Sequence, residues 1–354
     1  MLKNGRRMKI LSGVLRKLPK VDLHCHLDGS ARIGTIFDIM KKKTALPCNT
    51  VEEFAEYVHV SSSCRSLTEF LNKFEFFYTY LKSPEVMERL AYELCEDSAA
   101  ENIRYLEVRF APCLQADDKI SQEDILLAVL SGLKKGSRDF DISAPALLCV
   151  YRGTPPGAWE ETYRLGEKYL GRGVAGLDLA GDESKYSGEP FKEVFDKAYS
   201  AGLPATVHAG EAAGWESVKV AVDVLHARRI GHGVRISENS VFFDRMKEMK
   251  IPFEICITSN IQTGVFRDYA SHPVRDFYRQ GIRVTINSDD RGVSNIDLTY
   301  EWEIAQKECG LEIEDILDIN MNSVEAAFCG AAAKKNLKER IQKETREVLG
   351  NILG

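Results

Sequence analysis

Along the chain, short apolar or β-branched runs that end in polar residues alternate with stretches whose apolar positions recur at helical spacing. The runs cover residues 21–27, 103–112, 146–151, 174–181, 205–211, 229–233, 253–260 and 284–291. Near-continuous apolar strands separated by helices mark a parallel sheet covered on its outer face. The segment 214–225 illustrates the helical half of each unit, with Val218, Ala221, Val222 and Leu225 on one face. Eight such units over roughly 270 residues predict an α/β fold, a (β/α)₈ TIM barrel, for which ~250 residues is typical. A doubly wound sheet is the alternative, but no Gly-rich phosphate loop follows the first run.

One connection exceeds the others. About 75 residues separate Leu27 from Ile103, with helical patterns that include 67–81 and 84–100. Loops after barrel strands form the active-site face, so residues from about 30 to 100 are expected to make a helical lid. Residues 314–328 and 335–353 read as amphipathic helices that flank the barrel, and 1–354 is expected to be a single domain.

Composition narrows the class. Forty-seven Lys plus Arg against 53 Asp plus Glu give a net charge of -6, a sign that does not attract phosphate backbones. No apolar run approaches the ~20 residues of a membrane helix. The basic segment 1–19 is interrupted by Arg16 and Lys17 and lacks the pattern of a secretory signal. Nine cysteines without a CxxC pair fit free thiols in a reducing cytoplasm. The expectation is a cytoplasmic monomer that binds neither nucleic acid nor membrane.

Of seven histidines, four lie at the ends of predicted strands. His24 and His26 flank Cys25, and a period of two puts both on one face. His208 ends the fifth run and His232 the sixth, while Asp289 and Asp290 follow the eighth. Barrel strand ends converge on one mouth. Singly, an H-x-H pair or a paired aspartate is more often structural; together at one mouth, these groups point to a metal site. Imidazoles and a carboxylate suit zinc, and an open coordination position makes such a site catalytic. His59, His226 and His272 are assigned no role. Glu211, three residues past His208, is either a helix N-terminus residue or a carboxyl that keeps its proton in a desolvated site. Gly181 ends the fourth run, where a backbone approaches a flat ligand or simply turns. That run has no lysine to bridge a second metal, so one metal is expected.

Seven segments in order resemble the adenosine deaminases of the metal-dependent amidohydrolase superfamily. They begin at Val21-Asp22-Leu23-His24-Cys25-His26-Leu27-Asp28-Gly29 and Tyr105-Leu106-Glu107-Val108-Arg109-Phe110, and continue through Asp178-Leu179-Ala180-Gly181-Asp182-Glu183. Then come Thr206-Val207-His208-Ala209-Gly210-Glu211, Arg229-Ile230-Gly231-His232-Gly233, the stretch Cys256 to Thr263, and Ile286-Asn287-Ser288-Asp289-Asp290. The form Thr258-Ser259-Asn260-Ile261-Gln262-Thr263 looks like the bacterial branch.

The resemblance implies hydrolytic deamination of adenosine, and of 2′-deoxyadenosine, to inosine and ammonia. It implies that His24, His26, His208 and Asp289 hold one zinc ion with a water, which His232 orients and deprotonates. Glu211, protonated, would donate to N1 of the purine. Asp290 would bond N7, the Gly181 backbone N3, and Asp28 a ribose hydroxyl. Leu67, Phe70, Leu71 and Phe74 would form an apolar wall of the pocket. Ser288 stands where many relatives have Thr, which keeps the hydroxyl. The rival readings are a deaminase of adenine or 5′-methylthioadenosine, against which Asp28 favours a nucleoside, and a silent binding protein, which has no need of Glu211, His232 and Asp289 together.

Overall fold

The computed structural model describes residues 12–353. Eight parallel strands pair in chain order: β1 (Lys20–His26), β2 (Ile103–Phe110), β3 (Ala146–Tyr151), β4 (Val174–Ala180), β5 (Ala205–Ala209), β6 (Arg229–His232), β7 (Phe253–Ile255) and β8 (Val284–Ile286). Backbone bonds from Asp289 N–H to the His24 carbonyl (2.8 Å) and from His26 N–H to the Asp289 carbonyl (2.9 Å) join the last strand to the first. The result is the (β/α)₈ barrel that the pattern predicts, and its closure runs through three candidate ligands.

Helices cover the outside. Val218 and Ala221 of the Trp215–Asp223 helix are buried, as the spacing predicts. At the base, Asn320 of the Ile313–Ala326 helix accepts from Val21 N–H (3.0 Å) and donates to the Pro19 carbonyl (2.9 Å), satisfying backbone groups where β1 begins. The Ala331–Leu353 helix follows it.

Three predicted segments take a different form. The run at 253–260 is a three-residue strand followed by the helix Ile257–Gln262. Glu301 accepts from the N–H groups of Ile257 (2.8 Å) and Thr258 (3.2 Å), so a buried carboxylate starts a helix where apolar composition reads as strand. The run at 284–291 keeps strand pairing with β7 only to Ile286, then enters the short helix Arg291–Ser294. Segment 67–81 divides into the helix Leu67–Glu75 and a 3₁₀ turn, Tyr78–Leu81, with fully buried Phe77 between them.

Between β1 and β2 the helices Ile33–Lys43, Val51–Val58 and Leu67–Glu75 pack with that turn, through ring contacts such as Phe37–Phe54 and Phe54–Phe76. The Pro84–Ala100 helix instead packs against the Gln122–Phe140 helix and β2, as a helix of the outer ring. No helix of the described residues is long and apolar enough to cross a membrane. All nine cysteines are free. The signal-sequence reading of residues 1–11 falls outside the described residues.

Candidate active site

His24, His26, His208 and Asp289 converge at the mouth of the barrel. His26 Nε2 lies 3.2 Å from His208 Nε2, and Asp289 Oδ1 lies 3.4 Å from His24 Nε2 and 3.5 Å from His26 Nε2. Four donors arranged tetrahedrally at ~2.0–2.1 Å around zinc stand about 3.3 Å apart. His24 Nε2 is buried with no hydrogen-bond partner, a costly state for a ring nitrogen unless a cation takes its lone pair. The donor set therefore fits a small divalent ion. Cys256 also lies within ligand distance of His24, His232 and Asp289. Burial pushes its thiol well up, and its sulfur donates to the Glu254 carbonyl, so it stays out of the donor set.

Buried partners on the strands aim these rings. Glu254 on β7 bonds His24 Nδ1 (2.8 Å), and Asp178 on β4 bonds His208 Nδ1 (3.1 Å); both leave Nε2 facing the centre. Arg109 on β2 joins the two carboxylates, at 2.8 Å from Glu254 and 3.2 Å from Asp178. Arg229 on β6 bonds Glu254 (2.5 Å) and Glu107. Burial opposes ionisation of Asp289, but the facing histidines His24, His232 and His26 outweigh it and hold the carboxyl well below the usual range. Burial and neighbouring cations hold His26, His208 and His232 low, so their lone pairs are available. Asp289 and His232 both have φ of 60°, a left-handed conformation that non-glycine residues adopt at a cost.

Glu211 faces this centre from the loop after β5, its Oε2 3.7 Å from His232 Nε2. Burial, with the charges of Asp289 and Glu183, pushes its carboxyl up to about 8. The Thr263 hydroxyl, which donates to the Ser259 carbonyl (2.9 Å), lies 3.2 Å from Glu211 Oε1. Glu183 holds the loop by accepting from four successive N–H groups, those of Gly210, Glu211, Ala212 and Ala213, at 2.6–3.1 Å, and from the Ser217 hydroxyl.

Asp290 is buried with Oδ1 unpartnered. Burial and the carboxylates of Asp289, Asp28 and Glu211 push it well up, toward the protonated form. A Cβ on Gly29 would stand 1.6 Å from that oxygen, which explains a glycine at this point of the β1 motif. Gly181 has φ of 99°, turning the chain at the cavity wall. Asp28 accepts from the Tyr78 hydroxyl, which itself accepts from Gln115 Nε2 (2.7 Å).

A cavity of about 430 Å³ connects these groups. Every residue singled out in the sequence lines it, including Leu67, Phe70, Leu71 and Phe74, except His24, which lies fully buried beneath. His59 and His226 lie outside it. His272 lies in the short connection between the turn Tyr269–Ser271 and the helix Val274–Gln280, as its loop-like surroundings predict, but it is buried there and bonded to Asn260. Sequence reasoning missed Tyr78, Arg152, Glu183 and Glu254. Glu254 and Arg109 did leave a signal, namely charges within otherwise apolar strands, and Glu183 ends the family-like segment 178–183 though no role was assigned to it; Tyr78 left none.

An eight-stranded barrel with three histidines, an aspartate and a buried glutamic acid converging at its mouth is the arrangement of an amidohydrolase-type enzyme. The family model for adenosine deaminase matches residues 19–344. An adenosine deaminase of Clostridium botulinum (strain 657 / Type Ba4) is 43% identical over 92% of this chain and 99% of that protein. One from Clostridium perfringens is 37% identical over 92% and 98%. Among solved structures, an amidohydrolase from Burkholderia ambifaria with bound Zn superposes with a TM-score of 0.89 at 26% identity, over 99% of this chain and 97% of the other. The N6-methyl-AMP deaminase of Arabidopsis thaliana gives 0.84 at 27%, over 95% and 99%. The chain belongs to the adenosine deaminase family.

Proposed function

We propose that this chain hydrolyses adenosine, and 2′-deoxyadenosine, to inosine and ammonia, with one zinc ion held by His24, His26, His208 and Asp289. The observation that carries the reading is the buried Glu211 carboxyl facing the His/Asp centre, 3.7 Å from His232, where burial pushes it up to about 8. Zinc bound there would supply a water acidified to near neutral pH.

The chain's own groups do the rest. Attack at C6 of the purine pushes electrons toward N1, and Glu211 donates its proton there. His232 orients the attacking oxygen. Asp290, protonated, donates to N7, and the Gly181 backbone borders N3. Of the water's two protons, one replaces the proton Glu211 gave to N1 and the other passes to the amino group, which leaves as ammonia as the C6 carbonyl forms, so water and adenosine balance inosine and ammonia. Leu67, Phe70, Leu71 and Phe74 cover the ring and exclude bulk water, which keeps Glu211 neutral.

Charge at the ribose end favours a nucleoside over a nucleotide. Asp28 and Glu75 line the cavity, and its lining cations are both engaged. Arg152 donates to the carbonyls of Leu179 (3.1 Å) and His208 (2.7 Å), and Lys185 pairs with Asp182 (3.1 Å). A 5′-phosphate would meet carboxylates without a free partner.

Ammonia release from adenosine, 2′-deoxyadenosine, 5′-methylthioadenosine, AMP and adenine by the zinc-loaded protein tests this. Adenosine and its deoxy form should turn over, and AMP should be slower by at least roughly 10²-fold. No release from any nucleoside with zinc bound would remove the purine roles of Glu211, Asp290 and Gly181.

A further inference from the structure

We propose that His272 and Asn260 are positioning residues that fix His232 as a hydrogen-bond donor at Nε2, through a one-way chain of hydrogen bonds that starts at the Val274 backbone. The inference rests on the reading that His232 faces the attacking oxygen.

The chain has three links. Val274 N–H lies 3.2 Å from His272 Nδ1, His272 Nε2 lies 3.2 Å from Asn260 Oδ1, and Asn260 Nδ2 lies 3.1 Å from His232 Nδ1. Its direction follows from which groups can donate. A backbone N–H only donates, so His272 Nδ1 must accept and its one proton sits on Nε2. Asn260 therefore offers Oδ1 to His272 and its NH₂ to His232. His232 Nδ1 then accepts, and the proton of the neutral ring is on Nε2. Turning the amide over would leave both His272 nitrogens as acceptors, which no protonation state of imidazole provides.

The surroundings hold the chain in place. His272, Asn260 and His232 are all buried, and the Phe266 ring stands edge-on to His272 at 5.1 Å. Burial keeps His272 neutral, with its pKa pushed down to about 3. Asn260 is fixed at its backbone, where Val265 N–H (3.1 Å) and Phe266 N–H (3.2 Å) both bond its carbonyl.

The consequence falls on His232. Its Nε2–H points into the space between Glu211 Oε2 (3.7 Å) and Asp289 Oδ2 (3.8 Å). A neutral ring so held donates to the oxygen that adds to C6 and stabilises charge there, while having no lone pair on that side to accept a proton. The family resemblance gave His232 both parts, orienting the water and deprotonating it; this chain supports the first alone.

The test is a two-bond ¹H–¹⁵N correlation spectrum of the full-length, zinc-loaded protein labelled at histidine, with signals assigned from His232→Gln and His272→Gln. Wild-type His232 should show a protonated Nε2 and a bare Nδ1. Asn260→Asp places acceptors alone against Nδ1, which should become protonated; kcat should fall roughly 10²-fold with KM and zinc content little changed. His272→Phe should give mixed tautomers, and His272→Gln, which still offers an N–H to Asn260, should recover most of kcat. A wild-type His232 protonated at Nδ1, or an Asn260→Asp protein whose tautomer is unaltered, overturns the proposal. The wild-type spectrum decides even where a variant fails to fold. Absence of adenosine turnover would overturn the reaction while leaving the tautomer result to judge the chain.

Discussion

The floor of the site and its cover are built by opposite means. Beneath the donors, Glu254, Asp178, Glu107, Arg109 and Arg229 form a buried network whose carboxylates face arginine, imidazole or hydroxyl partners, most of them on strands that are not neighbours in the barrel. Above them, the Leu67–Glu75 helix and the Tyr78–Leu81 turn present an apolar wall with few polar ties, among them Thr68 to Asp182 (2.8 Å) and Tyr78 to Asp28. Desolvated charges tolerate no missing partner, which fixes the floor. Apolar contact is graded and forgiving, which suits a surface that must admit a substrate.

This contrast sets the order of expected effects. Glu254→Ala strips His24, Arg109 and Arg229 of a partner at once. It should cost about 3–5 kcal/mol of stability by denaturant melting, and a folded fraction should bind zinc roughly 10–100-fold more weakly. Unchanged stability and metal content would show the floor to be as tolerant as the cover.

Glu183→Gln probes the loop between them. Glu211 acts protonated, so activity is present below its pKa and is lost as pH rises through about 8. Removing the Glu183 charge lowers that pKa, so the alkaline limb of the rate profile should move to lower pH. A limb that stays in place would remove Glu183 from the causes.

Changes in the cover should be smaller and fall on binding. Leu71→Ala should raise KM for adenosine by roughly tenfold, about 1.4 kcal/mol, at nearly constant kcat. Tyr78→Phe should lower kcat/KM for adenosine by roughly fivefold, as one hydrogen bond to Asp28 is lost. It should spare adenine, which has no ribose, more, and equal losses would separate Tyr78 from recognition of the ribose.

The two regions also differed in how far they could be read from sequence. Strands of a covered parallel barrel are near-continuous apolar runs, and histidines at their ends share one mouth by topology alone, so the barrel and the cluster were legible. The failure at 253–260 has a physical cause. A buried six-residue helix such as Ile257–Gln262 has the composition of a buried strand, and periodicity cannot separate them over so short a span. Glu183 lies at a loop, and its value depends on four N–H groups that converge only in the fold. His272 and Asn260 are twelve residues apart with no pattern between them, and only the assembled site relates them to His232.

The central claim, a neutral acid opposite a metal centre, is tested most directly by Glu211→Gln with zinc content and adenosine turnover measured on the same sample. The amide keeps the side chain's shape and the donor set but cannot give up a proton as an acid. Zinc should remain at the wild-type level while kcat falls on the order of 10²–10⁴-fold. Turnover near the wild-type rate with zinc retained would contradict it.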